Sequence, residues 1–192
     1  MKRYNILFAL LIMAHLAPLH ARLNIEISGG AIGALPIAIV PLTWSGPTPL
    51  AEAIDQIVTA DLARTGRFAP LQAGAMPAAR PSTGKEIDFE QWRKTGVDNI
   101  IVGRITPQGS DFVVQFQLFD IHRGKQLSGY SIPTKQAALR QTAHQISDIV
   151  YEKLTGVRGA FNTRISYVMV TEEGGARQYQ LAVADSDGFN EQ

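Results

Sequence analysis

The sequence predicts an α/β (α+β) fold: a mixed sheet with two main helices packed against it, followed by one further hairpin. Three observations lead there. Apolar residues recur at helical spacing in two places, from Leu50 to Leu62 and from Leu139 to Leu154. Short apolar runs with strand character alternate with those helices, the pattern of helices laid on a sheet. After Thr155 the helical period stops and two strand-like segments remain.

The first 21 residues stand apart from the fold. Lys2 and Arg3 precede a mostly apolar run from Ile6 to Ala17, and Pro18-Leu19-His20-Ala21 follows, which is the pattern of a secretory signal peptide cut after Ala21. The run is shorter than the roughly 20 residues that span a bilayer, and no second one follows, so the expectation is an exported protein without an integral membrane segment. Cleavage lowers Lys+Arg from 18 to 16 against 17 Asp+Glu, a net charge of −1. Nucleic-acid binding calls for a basic stripe; these cations are dispersed, so no nucleic-acid partner is expected. Cysteine is absent, which leaves neither disulfides nor a lipidated cysteine, and the core must hold by burial. With His15 and His20 removed, only His122 and His144 remain, too few for a protein metal site. No metal or cofactor is expected.

Along the mature chain, Leu23, Ile25 and Ile27 alternate with Asn24, Glu26 and Ser28, a short strand stopped by Gly29, Gly30 and Gly33. Ile37 to Leu42 reads as a buried strand. Thr48 and Pro49 suit a helix cap and first helical residue, and Leu50, Ile54, Ile57, Val58 and Leu62 give that helix one apolar face until Gly66. Phe68 to Leu71 is a short strand, and Ala73 to Gly84, with Pro77 and Pro81, a surface loop. Asp88 and Gln91 have capping-box spacing at the start of a short helix that carries Phe89 and Trp92 on one side and ends at Gly96. Ile100 to Val102 is a central strand. Phe112 to Asp120 and Leu127 to Ile132 form a hairpin through His122-Arg123-Gly124-Lys125. Leu139, Ala143, Ile146, Val150 and Leu154 make the core stripe of the last helix, before Gly156. Arg164 to Thr171 and Gln178 to Asp185 are two strands around Glu172-Glu173-Gly174-Gly175, and Asp187-Gly188 opens another turn. A lone two-stranded hairpin is marginal in water, so this one either extends the preceding sheet or opens a longer β structure, and the second reading is preferred.

Four motifs invite a chemical reading. Ser82-Thr83-Gly84-Lys85 and Lys94-Thr95-Gly96 match the S-x-x-K and K-T-G of penicillin-binding enzymes, yet they lie nine residues apart with no S-D-N between them; a solvated loop and a helix C-terminus are expected instead. Ser28 to Gly33 lacks the following helix N-terminus and the lysine of a phosphate cradle, and reads as a hinge. Asp185-Ser186-Asp187-Gly188 breaks the calcium-loop order, with Gly fourth and Phe189 fifth, and reads as a turn. His144 has only Asp148 as a carboxylate one turn away, an ordinary i,i+4 surface pair and no oriented base. It is read as a structural or partly exposed residue, and His122 as solvated. No catalytic residue is expected.

Several runs carry a family resemblance: Pro36-Ile37-Ala38-Ile39-Val40-Pro41 followed by Trp44, Asp61-Leu62 with Gly66-Arg67-Phe68, Trp92 followed by Gly96-Val97-Asp98, Ile101-Val102-Gly103, and most specifically Tyr151-Glu152-Lys153-Leu154-Thr155-Gly156-Val157-Arg158-Gly159-Ala160-Phe161 with Thr163-Arg164-Ile165. On these the mature chain resembles the TolB family of the Tol-Pal system. The resemblance implies a signal peptide (1–21), a flexible strand and glycine hinge (22–33), an N-terminal α/β domain (34–160), and the start of a six-bladed C-terminal β-propeller (161–192), of which only the opening hairpin is present. It further implies a non-enzymatic periplasmic component that links TolA to outer-membrane partners, for envelope integrity and outer-membrane constriction during division. A TolA-like inner-membrane protein would be met by Arg22, Leu23, Asn24, Ile25, Glu26, Ile27, Ser28, Gly29 and Gly30. The peptidoglycan-associated lipoprotein Pal would be met mainly by the propeller. Arg22 replaces an acidic residue of some relatives. Two rivals stay open. One is the N-terminal domain of an outer-membrane assembly factor or secretion-apparatus lipoprotein, against which the missing lipidation cysteine near Ala21 counts; the other is a cell-wall serine hydrolase.

Overall fold

A computed structural model describes residues 33–192, so the expected signal peptide and the segment Arg22 to Gly30 lie outside the described residues. The strands are β1 (Leu35–Ile39), β2 (Thr43–Trp44), β3 (Phe68–Pro70), β4 (Asn99–Gln108), β5 (Asp111–Asp120) and β6 (Lys125–Thr134). The helices are α1 (Ile54–Arg64), α2 (Phe89–Arg93) and α3 (Leu139–Thr155). The sheet runs β3-β1-β4-β5-β6 and is mixed: β1 is parallel to β3 and β4, whereas β4, β5 and β6 are antiparallel. β2 also pairs with β4, through Thr43↔Arg104 and Trp44↔Ile105. It continues the edge that β1 begins, because the ladder reaches the Val40 N–H on the Ile101 carbonyl (3.0 Å) and then meets Pro41, which has no N–H to donate.

Alternation along the strands sends side chains to two cores. Ile37, Ile39, Ile101, Ile105, Val114, Phe116 and Leu118 face α1 and α3, meeting Ile54, Val58, Leu62, Leu139, Ile146 and Val150. Ala38, Val40, Ile100, Val102 and Phe119 face the other way, toward Ile87, Trp92 and Val97 around α2. Burial on both sides explains why β1 and the start of β4 read as continuous apolar runs.

The strands expected at Ile37, Phe68, Ile100, Phe112 and Leu127 are all present, with β4 and β6 longer than expected. The start of α1 differs. Its N-cap is Ala53, with no side-chain cap bond, not Thr48. Trp44 on β2 donates from its indole Nε1 to the Thr48 carbonyl at 2.7 Å and meets the Phe112 ring edge-on, centroids 5.4 Å apart. The tie to Trp44 holds the Thr48-Pro49 peptide off the helix axis, and Leu50 packs on the core from the connecting loop. Asp88 does cap α2, accepting from Glu90 and Gln91 N–H at 3.1 Å each.

α3 ends at Gly156, whose φ of +72° suits glycine. The chain then folds back on the helix: a Cβ at Gly159 would lie 2.4 Å from Asp148 Oδ1 and 2.7 Å from Asp148 Cα, so only glycine fits. That approach lets Asp148 accept from the N–H of Phe161 (2.7 Å) and Asn162 (3.2 Å), and Phe161 enters the core against Tyr151. This geometry gives Tyr151, Gly156, Gly159 and Phe161 of the long motif their places.

β7 (Arg164–Glu173) and β8 (Ala176–Asp185) form a separate two-stranded sheet with Arg164↔Asp185 in register, where the sequence placed its last hairpin. A turn follows β8, and the chain returns beside it, Val183 and Gln192 exchanging two backbone hydrogen bonds of 3.0 Å. Among the described residues no helix is long and apolar enough to cross a membrane.

Candidate functional site

None of the segment Arg22 to Gly30 falls within the described residues. The structure instead brings together a polar cluster between α1, α3 and the turn after β8. Asp61 (1 % exposed) comes from α1, and His144 (3 %) and Ser147 (0 %) from α3. Arg140, one turn before His144, completes the same side of α3.

Asp61 Oδ2 lies 2.7 Å from His144 Nδ1 and accepts from Ser147 Oγ at 2.8 Å, while Asp61 Oδ1 accepts from Arg64 at 3.0 Å. A buried carboxylate needs such donors. Farther along α3, Arg140 pairs with Asp187, lies 3.6 Å from Glu52 and 4.0 Å from Asp185, and places its guanidinium carbon 3.9 Å above the Phe189 ring. His144 Nε2 is buried without a hydrogen-bond partner among the described residues, 3.8 Å from Asp187 Oδ2. Burial would raise the Asp187 carboxyl, but the Phe189 N–H, the Arg140 charge and the field of His144 together hold it below the ordinary carboxylate value. Ser186 adds two bonds, its Oγ donating to the Phe161 carbonyl (2.6 Å) and its N–H to Thr163 (3.0 Å). The cluster clamps the turn after β8 onto the helices.

Serine, histidine and aspartate meet here, but not as a nucleophile relay. The single Ser147 hydroxyl proton lies between Asp61 Oδ2 and the Ala143 carbonyl (3.1 Å) rather than facing a histidine base, and all three residues are sealed from solvent, whereas a nucleophile must reach a substrate. His144, Asp185 and Asp187 each offer a ligand atom within 4.8 Å of the others. The guanidinium of Arg140 already lies on those carboxylates and supplies the cation the acids require.

His144 is structural, but its partner is Asp61 rather than Asp148, which caps the Phe161 loop. His122 is exposed in its turn, with Nε2 2.9 Å from Asp98 Oδ1. Ser82 contacts Glu86 through its Oγ (3.1 and 3.2 Å) and its N–H (2.8 Å). Thr95 ends α2 by donating to the Trp92 carbonyl. Asp187-Gly188 does form a turn, and its part in the clamp has no local signal, because Arg140 lies 47 residues away.

A family model for the TolB amino-terminal domain matches residues 23–127. The chain is 51 % identical over 95 % of its length to the Tol-Pal system protein TolB of Thioalkalivibrio sulfidiphilus. It is 46 % identical over 88 % of its length to the protein of the same name from Nitrosococcus oceani. It covers 42 % and 39 % of those relatives. A crystal structure of TolB from Acinetobacter baumannii superposes with a TM-score of 0.70 at 31 % identity, covering 83 % of this chain and 38 % of that one.

Proposed function

The chain belongs to the TolB family, and from that premise we propose that it is a non-enzymatic periplasmic adaptor of the Tol-Pal system, linking a TolA-like inner-membrane protein to outer-membrane partners for envelope integrity and constriction during division. The observation that carries the reading is the family match over residues 23–127, joined to relatives named for that system. The wiring of the buried cluster supports it, since Arg140 is paired with Asp187 of the turn after β8 and Asp61, His144 and Ser147 bond one another inside the core.

Residues 161–192 are read as the opening of the family's propeller, which would meet Pal. The hairpin is apolar on both faces: Ile165, Tyr167 and Met169 lie on one, and Val168, Val170, Tyr179 and Leu181 on the other, with Tyr179 68 % and Leu181 69 % exposed. Further strands of a blade and its neighbour would cover both. At the other end, Arg22 to Gly30 would add a strand to a partner's sheet edge, with Leu23, Ile25 and Ile27 in apolar pockets. Each such side chain contributes roughly 1.5–3 kcal/mol before ordering costs.

The test compares the chain beginning at Arg22 with one beginning at Ala31 for binding to the periplasmic part of TolA. Loss of binding at unchanged thermal stability is expected. Undiminished binding would remove residues 22–30 from the interface, and a large drop in stability would make them a strand of the domain.

A further inference from the structure

We propose that the open half of the sheet face opposite α1 and α3 binds an extended peptide segment carrying carboxylates, gripped by Arg104. This surface shares no residue with the adaptor contacts above. Strand register divides the face into rows. Ile100 and Phe119 form the first, covered by α2 and the loop before it. Of the three rows beyond, the first, Val102, Gln117 and Gly129, is covered at its Val102 end, and the other two are left open: Arg104, Gln115 and Ser131; Thr106, Val113 and Pro133. Two hollows of about 370 and 540 Å³ lie along them and share Arg104 and Gln115, a size range that holds short ligands.

The polar groups are held in place before any ligand arrives. Arg104 donates from Nε to Gln115 Oε1 at 2.7 Å, which fixes the guanidinium and leaves its two terminal nitrogens as the donors not used in that bond. Gln117 accepts from the Gly84 N–H (2.9 Å) and donates to Gln126 (3.2 Å), which donates in turn to the Ser128 carbonyl (3.2 Å). Because the glutamine oxygens are engaged, the groups left over are mainly donors. Arg104 makes no ion pair among the described residues. The three rows hold no carboxylate: Asp111 stands two rows beyond Arg104 at the hairpin tip, and Glu86 at the loop rim is taken up by Ser82 and Thr83. A fixed guanidinium fork amid amide donors suits a carboxylate bound through two parallel hydrogen bonds. The rows carry no aromatic ring against which a sugar could stack, since Phe116 belongs to the helix-side core and Tyr130 stacks on it.

The test titrates this chain with the acetylated, amidated tetrapeptide Glu-Ala-Glu-Ala and with its Gln-Ala-Gln-Ala counterpart, following amide and Arg Nε resonances. The glutamate peptide is expected to shift Arg104, Gln115, Gln117 and Gln126, weakening with added salt, and the glutamine peptide at least about tenfold less, the value of a charged hydrogen-bond pair. Arg104→Gln should abolish the shifts, and Arg104→Lys, which keeps the charge and loses the fork, should weaken them. Equal binding of the two peptides, shifts centred elsewhere, or binding that survives Arg104→Gln would overturn the proposal. So would a response to triacetylchitotriose alone, which would make the shelf a glycan site.

Discussion

Asp61 is a buried carboxylate whose two oxygens serve His144, Ser147 and Arg64, so its loss leaves the His144 ring nitrogen in the core without its partner. Asp61→Ala should cost about 3 kcal/mol, the scale for stripping one partner from a buried charged pair, and Asp61→Asn less, because one acceptor oxygen survives. Urea unfolding reads this as a lower midpoint at unchanged slope. Gly159→Ala drives a methyl into the Asp148 backbone and should cost roughly 1–3 kcal/mol, as overpacking does. The two residues differ in how visible they were. The Asp88 cap was legible because its bonds span two and three residues. The partner of His144 was not, because Asp61 stands 83 residues away and the nearer carboxylate, Asp148, turned out to serve another loop. A period of apolar residues shows which face of a helix is buried, but not which polar group the facing helix offers.

Among the elements, strands and helices set by periodicity were readable, and those set by a tertiary tie were not: β2 is two residues long, and α1 starts where the Trp44 bond to Thr48 permits. The hairpin β7–β8 is held by its turn rather than by a shared sheet, which makes its attachment sensitive to the Asp187 charge. The Asp187 value is depressed in the folded chain, so its contribution is fully present above the unfolded value of about 3.9 and is lost as pH falls through the lower folded value. Amides of Ser186 to Phe189 should therefore keep their native shifts at pH 5 and lose them only below about pH 4. Arg140→Ala should produce that loosened state at neutral pH, and native shifts in that variant would show that the ion pair is not what holds the turn. The hairpin amides should also exchange much faster than those of Ile100 to Val102, which lie inside the sheet. Equal protection would mean that the hairpin is stabilised by the domain itself.

At the scale of the whole molecule, the question is where the α/β domain ends, and the packing answers more sharply than the pattern of elements does. Neither core cluster contains a residue of β7 or β8, yet Phe161 is part of the larger one, and the N–H groups of Phe161 and Asn162 satisfy Asp148. A chain cut after Ala160 would leave a phenylalanine-sized hole and a carboxylate without its donors, while a cut after Asn162 would keep both and remove only the clamp and the hairpin. The hole alone should cost about 3–5 kcal/mol. At roughly 3 °C per kcal/mol for a domain of this size, the shorter chain should melt about 10 °C below the longer one. The longer chain should in turn melt within a few degrees of the full 192 residues, since a partly buried ion-pair cluster and a separate two-stranded sheet add little net stability. Equal melting of the two truncations would show that Phe161 is dispensable and that the domain closes at Ala160. A collapse of both would show that the hairpin and its clamp are part of the domain's own stability.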